Sequence, residues 1–245
     1  MTRPLISFVL PAYNEVDHLP ATLAALRQAL APFPDCPYEI IVCDNNSTDE
    51  TAALARSLGA IVVFEPHNQI AKARNTGASQ AQGEWICFVD ADTLVPPELG
   101  IRLIEVLLQP DTGAGGTLIR FDLAQQPFFP GLVVKTWNTI SALFRLAAGS
   151  FLFCRREAWE ETGGFNEEYY AAEELFFSRA IKQWCRKKKL KFRIITDCSV
   201  LTSARKLHWN SQFKLFFIML SLLRPGALKS REGCSFWYQR PASKS

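Results

Sequence analysis

The sequence predicts an α/β fold, a doubly wound and mostly parallel sheet flanked by helices. Short β-rich runs of four to six residues alternate with helical patterns through the first half of the chain. The runs are nearly continuous in apolar character, as expected of parallel strands covered on both faces. They also run into polar residues at their carboxyl ends, where the ligand crevice of such a sheet lies.

Taken in order, Leu5 to Leu10 reads as the first strand. Leu19, Leu23, Leu26 and Leu30 then repeat at three and four, giving one apolar helix stripe. Glu39 to Cys43 is the second strand; Ser47-Thr48-Asp49-Glu50 fits a capping box for the next helix, and Gly59 stands where a left-handed C-terminal residue is wanted. Ala60 to Phe64 is a third strand, Ala71 to Ala81 a helix stopping at Gly83, and Trp85 to Val89 a fourth strand. Pro96-Pro97 opens a helix to about Leu108, Thr117 to Phe121 and Ser150 to Cys154 read as strands, and a helix spans Ala172 to Lys188. Phe213 to Leu223 is an apolar run of 11 residues interrupted by Lys214. It is too short for the roughly 20 residues that cross a bilayer, and either packs on the sheet as core or lies in a headgroup region between cationic flanks.

With 245 residues, 48% hydrophobic and 21% charged, the chain falls among globular proteins and outside the disordered and fibrous classes. One domain over residues 1–245 is expected. The seven cysteines (36, 43, 87, 154, 185, 198 and 234) form no Cys-x-x-Cys pair, which points to a reduced compartment and no cysteine metal site. Met1-Thr2-Arg3-Pro4 leads straight into a strand without secretory features, so a cytoplasmic protein is expected. Residues 1–124 carry 7 Lys+Arg against 15 Asp+Glu, net −8, and residues 125–245 carry 20 against 9, net +11. An acidic half can hold a metal ion; a basic half suits an anionic ligand, a membrane surface or nucleic acid. Nucleic acid is the weakest of these, because Trp137, Trp159, Trp184 and Trp209 are scattered and form no stacking platform.

Three polar edges converge on the crevice: Pro11-Ala12-Tyr13-Asn14-Glu15, Asp44-Asn45-Asn46-Ser47 and Asp90-Ala91-Asp92-Thr93. Two carboxylates in Asp-x-Asp share one side of an extended segment and suit a hard cation, Mn2+ or Mg2+, that also binds phosphate oxygens. Together with Ala73-Arg74-Asn75-Thr76-Gly77, and with Gly163-Gly164-Phe165-Asn166-Glu167 followed by Ala172-Glu173-Glu174, these segments resemble in order and spacing the motifs of family 2 glycosyltransferases of the GT-A fold, over roughly residues 4–205.

The resemblance implies a nucleoside diphosphate sugar donor whose base and ribose are held by Pro11, Ala12, Tyr13, Glu15 and Asp44, with Arg74 facing the diphosphate. It places Asp90 near the ribose or metal, Ala91 between, and Asp92 on the metal. It also implies inversion, with a carboxylate deprotonating the acceptor hydroxyl. The family pattern there is Glu-Asp, whereas this chain has Glu173-Glu174; matching the pair gives Glu174 as base, and counting back from Arg179 gives Glu173. His208 is where some GT-A enzymes supply a late metal ligand. The implied organisation is a nucleotide-sugar half (1–124), an acceptor-side half (125–205), and a C-terminal helix and basic tail (206–245) suited to the inner face of a membrane. The net +11, with the basic run Arg186 to Arg193, suggests a lipid-linked or anionic acceptor. Two other readings stand beside this one. A haloacid-dehalogenase-like phosphatase also uses Asp-x-Asp after an apolar strand, but normally after the first. A non-catalytic nucleotide-sugar-binding module would need no acceptor base.

Overall fold

The computed structural model describes residues 3–122, 138–139, 141, 147–205, 226–234 and 238. The described strands are β1 (Ile6–Ala12), β2 (Tyr38–Asp44), β3 (Ile61–Phe64), β4 (Trp85–Val89), β5 (Thr93–Leu94), β6 (Thr112–Phe121), β7 (Phe151–Arg155) and β8 (Lys191–Thr202). They join in one sheet of order β3-β2-β1-β4-β7-β6-β8-β5. Strands β1 to β4 pair in parallel, β7 is antiparallel to both β4 and β6, and β8 lies parallel to β6, so the sheet is mixed with a parallel majority. The helices are α1 (Leu19–Leu30), α2 (Thr51–Ser57), α3 (Ile70–Ser79), α4 (Pro97–Leu107), α5 (Arg156–Thr162) and α6 (Glu173–Lys187).

Alternation along the strands explains why they read as continuous apolar runs. Phe8 and Leu10 of β1, with Cys87 and Val89 of β4, pack under α1 and α4, whereas Val9 and Phe88 pack on the opposite face with α3 and α6. Both faces are therefore covered. The seven cysteines are free, and burial pushes the Cys43 thiol up to about 12, leaving it a core residue.

Several local expectations are corrected. β1 does not stop at Leu10 but continues through Pro11 and Ala12, which pair with Cys43 and Asp44 of β2. Pairing of β1 with β4 stops at Val9 and Phe88, so the two strands part before Pro11, at the point where strand order reverses. No capping box forms at Ser47 to Glu50: Glu50 precedes α2 without a side-chain cap, Asp49 accepts from the Thr51 N–H and hydroxyl, and Ser47 turns toward the neighbouring loop. Gly59 does end α2 in a left-handed conformation, with its N–H on Arg56 O and that of Ala60 on Ala55 O, a Schellman arrangement. Gly83 lies beyond the end of α3; its role is a close approach to Ser7, whose hydroxyl accepts the Gly83 N–H. The apolar run 213–223, His208, Trp137 and Trp209 lie outside the described residues. Among the described residues no helix is long and apolar enough to cross a membrane.

Helix α3 carries Arg74 and Asn75 and is seated on β1 through Gly77, where a Cβ would stand 2.5 Å from Val9 Cγ1 and 3.5 Å from Cys43 Cβ. Gly77→Ala is expected to cost about 1–3 kcal/mol, because the buried Val9 cannot move without displacing the helix. A lowered denaturant midpoint at unchanged slope checks it.

Candidate active site

The loops after β1 and β2 are sewn together at the sheet's carboxyl edge. Asn14 and Asn46 both take left-handed backbone, at φ 52° and 64°. The Asn14 N–H donates to Ser47 Oγ at 3.0 Å, and the Thr48 N–H donates to Asn14 Oδ1 at 2.8 Å. Asparagine tolerates that region better than most residues, which explains its presence at both turns. Asp44, buried at the end of β2, accepts the Ser47 N–H at 3.2 Å. Beside these loops lies a cavity of about 410 Å³ whose walls include Tyr13, Asn46, Thr48, Asn68, Lys72 and Tyr170. The loop after β3 lines it through Pro66 and His67, and Glu65 holds that loop by accepting the His67 N–H at 2.8 Å and the Thr76 hydroxyl at 2.7 Å. Burial works against the Glu65 charge, but these bonds outweigh it and hold its pKa below the usual value.

The segment Asp90-Ala91-Asp92 crosses from β4 to β5 with its backbone held on every side. Thr22 of α1 donates to Ala91 O at 2.9 Å, the Ser203 N–H donates to Asp92 O at 3.1 Å, and the Thr93 N–H returns to Asp90 O at 3.1 Å. The two carboxylates therefore project from a fixed frame, and each meets an arginine. Asp90 accepts from Arg74 Nη2 at 3.0 Å, and Asp92 accepts from Arg205 Nη2 at 3.0 Å.

Arg74 is the hub. Its side chain is only 4% exposed and reaches Asp90, Glu173 and the Gly149 carbonyl while lying over the Phe165 ring. Burial opposes the guanidinium charge, but Asp90, Glu173 and Glu174 outweigh it and raise its pKa. Ala172, in left-handed backbone at φ 61°, turns the chain into α6 so that Glu173 and Glu174 fall in the helix's first turn. A non-glycine residue held there is local strain of the kind that gathers at functional sites. Glu173 is buried and its pKa is raised, chiefly by burial that the Arg74 ion pair only partly offsets. Glu174 is half-buried; burial and the Glu173 charge push its carboxyl up to about 8. Next to the hub, Asn75 fixes the Gly163-Gly164 bend: its amide donates to Phe165 O at 2.8 Å, and its carbonyl accepts the Phe165 N–H at 2.9 Å. A Cβ on Gly164, at φ 71°, would stand 2.5 Å from that carbonyl oxygen.

The residues expected from sequence thus divide between two adjoining places. Tyr13 lines the cavity, with Pro11, Ala12 and Asp44 on the strand ends beside it. Glu15, Asp90, Asp92, Arg74, Glu173 and Glu174 gather around the guanidiniums. Arg74 lies beneath Asp90 and Glu173 instead of open to the cleft. Arg205, which pairs with both Glu15 and Asp92, was not among the expected residues. Among the described residues no group of three or more His, Cys, Asp or Glu side chains is arranged to hold a metal ion. The donor set nonetheless fits a hard divalent cation. Among the described residues five carboxylates (Glu15, Asp90, Asp92, Glu173 and Glu174) gather around the guanidiniums of Arg74 and Arg205, and anionic oxygen is the ligand that a hard cation takes.

The basic run spans the end of α6 and the start of β8. Lys188 pairs with Glu157 and Glu161, and Lys191 and Arg193 pair with Asp111, so part of its charge is neutralised within the chain.

Residues 7–160 match the family described as Glycosyl transferase family 2. The undecaprenyl-phosphate 4-deoxy-4-formamido-L-arabinose transferase of Sodalis glossinidius is 34% identical over 128 residues, 44% of this chain and 36% of that protein. The chain spans about a third of the length of the curated relatives it matches, for example 31% of AglE of Haloferax volcanii. Among solved structures, S. aureus TarS 1-349 in complex with UDP-GlcNAc aligns with TM-score 0.64 at 18% identity, covering 82% of this chain and 58% of that one. The mannosyltransferase PcManGT from Pyrobaculum calidifontis, in complex with GDP-Man and Mn2+, aligns with TM-score 0.64 at 20% identity, covering 90% and 62%. At such identities the likeness shows the fold, a mixed α/β sheet of the GT-A type.

Proposed function

The chain belongs to glycosyl transferase family 2, and from that premise we propose that it is an inverting transferase that moves a sugar from a nucleoside diphosphate donor to an acceptor hydroxyl. The observation that carries the reading is the Arg74 hub, which joins the Asp-x-Asp at the end of β4 to the glutamate pair at the start of α6 through one buried guanidinium. Donor side and acceptor side are thereby held in a fixed relation, the requirement for in-line attack at an anomeric carbon.

In this reading the cavity beside Tyr13 and Asp44 receives base and ribose, and the diphosphate lies toward Asp90 and Asp92. Mn2+ or Mg2+ bound at those carboxylates supplies positive charge to the phosphate oxygens of the leaving group. Arg74 acts as a positioning residue: it holds Asp90 in place and binds Glu173. Glu174, not committed to that ion pair, takes the acceptor proton on its carboxylate. The Sodalis relative's name and the +11 charge of residues 125–245 support a lipid-linked or anionic acceptor and a place at the inner membrane face. The exposed Arg186, Lys187 and Lys189 are the part of the basic run suited to it. The haloacid dehalogenase reading falls with the family match.

A thermal-shift screen of UDP-, GDP-, dTDP- and CDP-sugars with Mn2+ tests the proposal. A donor at 100 times its dissociation constant is expected to add about 2.7 kcal/mol. Release of nucleoside diphosphate on addition of acceptors would then establish transfer. No shift with any donor would overturn the reading, and binding without turnover across a broad acceptor panel would favour a non-catalytic module.

A further inference from the structure

Strand β8 ends at Thr202 alongside β5, which brings the following residues to the Asp-x-Asp. There the backbone is tied down: the Ser203 N–H donates to Asp92 O at 3.1 Å, and the Ala204 N–H donates to Asp122 Oδ1 at 2.7 Å. From this anchored point the Arg205 side chain reaches into the crevice and bridges Glu15, in the loop after β1, to Asp92, after β4. The side chains are 14%, 8% and 12% exposed, so the pairs are screened little by solvent.

We propose that Arg205 is an exchangeable counter-ion of the donor site: without metal it occupies the Asp92 carboxylate, a divalent cation entering there displaces it, and the released guanidinium binds the donor diphosphate. The proposal rests on the donor and metal reading above. A guanidinium and a divalent cation at one carboxylate repel each other strongly in a poorly solvated crevice. The anchored backbone keeps the displaced side chain at the crevice, and a guanidinium fork matches phosphate oxygens. A cation entering while Arg205 stays at the crevice adds two positive charges beside the guanidinium, which favours an anionic diphosphate. Arg205 therefore weakens binding of metal alone and strengthens binding of metal with nucleotide. The two ligands become coupled, and the coupling is reciprocal.

The test uses the full chain and two titrations, Mn2+ alone and Mn2+ with UDP or GDP, followed by calorimetry and by the paramagnetic resonance signal of free Mn2+. Arg205→Gln is expected to bind Mn2+ alone about tenfold more tightly, because no guanidinium then competes with the cation for the Asp92 carboxylate, and to bind the nucleotide with Mn2+ about tenfold more weakly. Arg205→Lys keeps the charge but not the fork, and should fall between wild type and Arg205→Gln in both titrations; it also serves if the glutamine variant does not fold. Equal or weaker binding of Mn2+ alone in these variants would overturn the exchange, since a purely structural arginine lowers both affinities together. Failure of wild type to bind UDP, GDP, dTDP or CDP with Mn2+ would overturn the donor reading itself, and the exchange with it.

Discussion

Glu174→Gln is expected to cut the chemical step by roughly 10² to 10⁴ while leaving donor affinity nearly unchanged, as loss of a general base does. The two glutamates at the start of α6 are distinguished by their partners. Glu173 is buried in an ion pair with Arg74, so its proton affinity is tied to the hub. Glu174 keeps partial exposure, and its carboxyl is pushed up to about 8 by burial and by Glu173. A base in that range is poised for proton transfer near neutrality. Turnover of wild type should rise with pH as Glu174 deprotonates, with an apparent pKa drawn below 8 once a cation at Asp90 and Asp92 offsets the Glu173 charge. The rise should vanish in Glu174→Gln. Stability gives a second readout. The folded carboxyl holds its proton to about pH 8, whereas the unfolded one releases it near 4.5, so wild type loses stability relative to the neutral variant as pH climbs through that window. Glu173→Gln should mainly lower stability. Transfer rates and donor dissociation constants for both variants decide the matter: a larger rate loss at Glu173 would assign the base to that residue instead.

What could be read from the sequence followed the regularity of local patterns. Strands β1 to β4 and helices α1, α3, α4 and α6 were legible because apolar period and turn residues agreed. Strand β8 was not, because its pairing with β6 jumps from Thr117 and Ile195 to Leu118 and Ser199. The looped-out residues between are pinned by the Thr117 hydroxyl, which donates to Ile195 O and Cys198 O, and they break the period of two. The start of β6 was hidden for another reason. Gly113, Gly115 and Gly116 have low strand propensity, yet glycine is required there: a Cβ on Gly115 would stand 2.0 Å from Arg193 O. Helix α5 is a short helix of seven residues and left no periodic signature. The site was legible where a motif joined β1, β2, β4 and α6 to its chemistry. Arg205 was missed because its only signal was its place just past the unread β8, and tertiary pairing gave it its partners.

Asp92→Asn is expected to abolish turnover and remove the metal dependence of nucleotide binding, with Asp90→Asn impairing both less. The difference follows from what each carboxylate is held by. Asp90 is fixed from below by Arg74, and an asparagine there can still accept the Nη2 hydrogen bond, so the hub survives with a weakened charge. Asp92 is the last carboxylate of the pair, its backbone carbonyl clamped by the Ser203 N–H and its side chain shared with the exchangeable Arg205. A hard cation needs anionic oxygen in that place, and a neutral amide oxygen is a much weaker ligand. Because asparagine matches aspartate in shape and can accept from Arg205, the variant should fold, and a melting curve close to wild type confirms that lost activity is not lost structure. Calorimetric titration of Mn2+ against bound UDP or GDP then separates the possibilities. Metal dependence equal to wild type in Asp92→Asn would remove the metal assignment from Asp92, whereas its loss there and partial retention in Asp90→Asn would place the ion on the outer carboxylate, with Asp90 holding the frame that presents it.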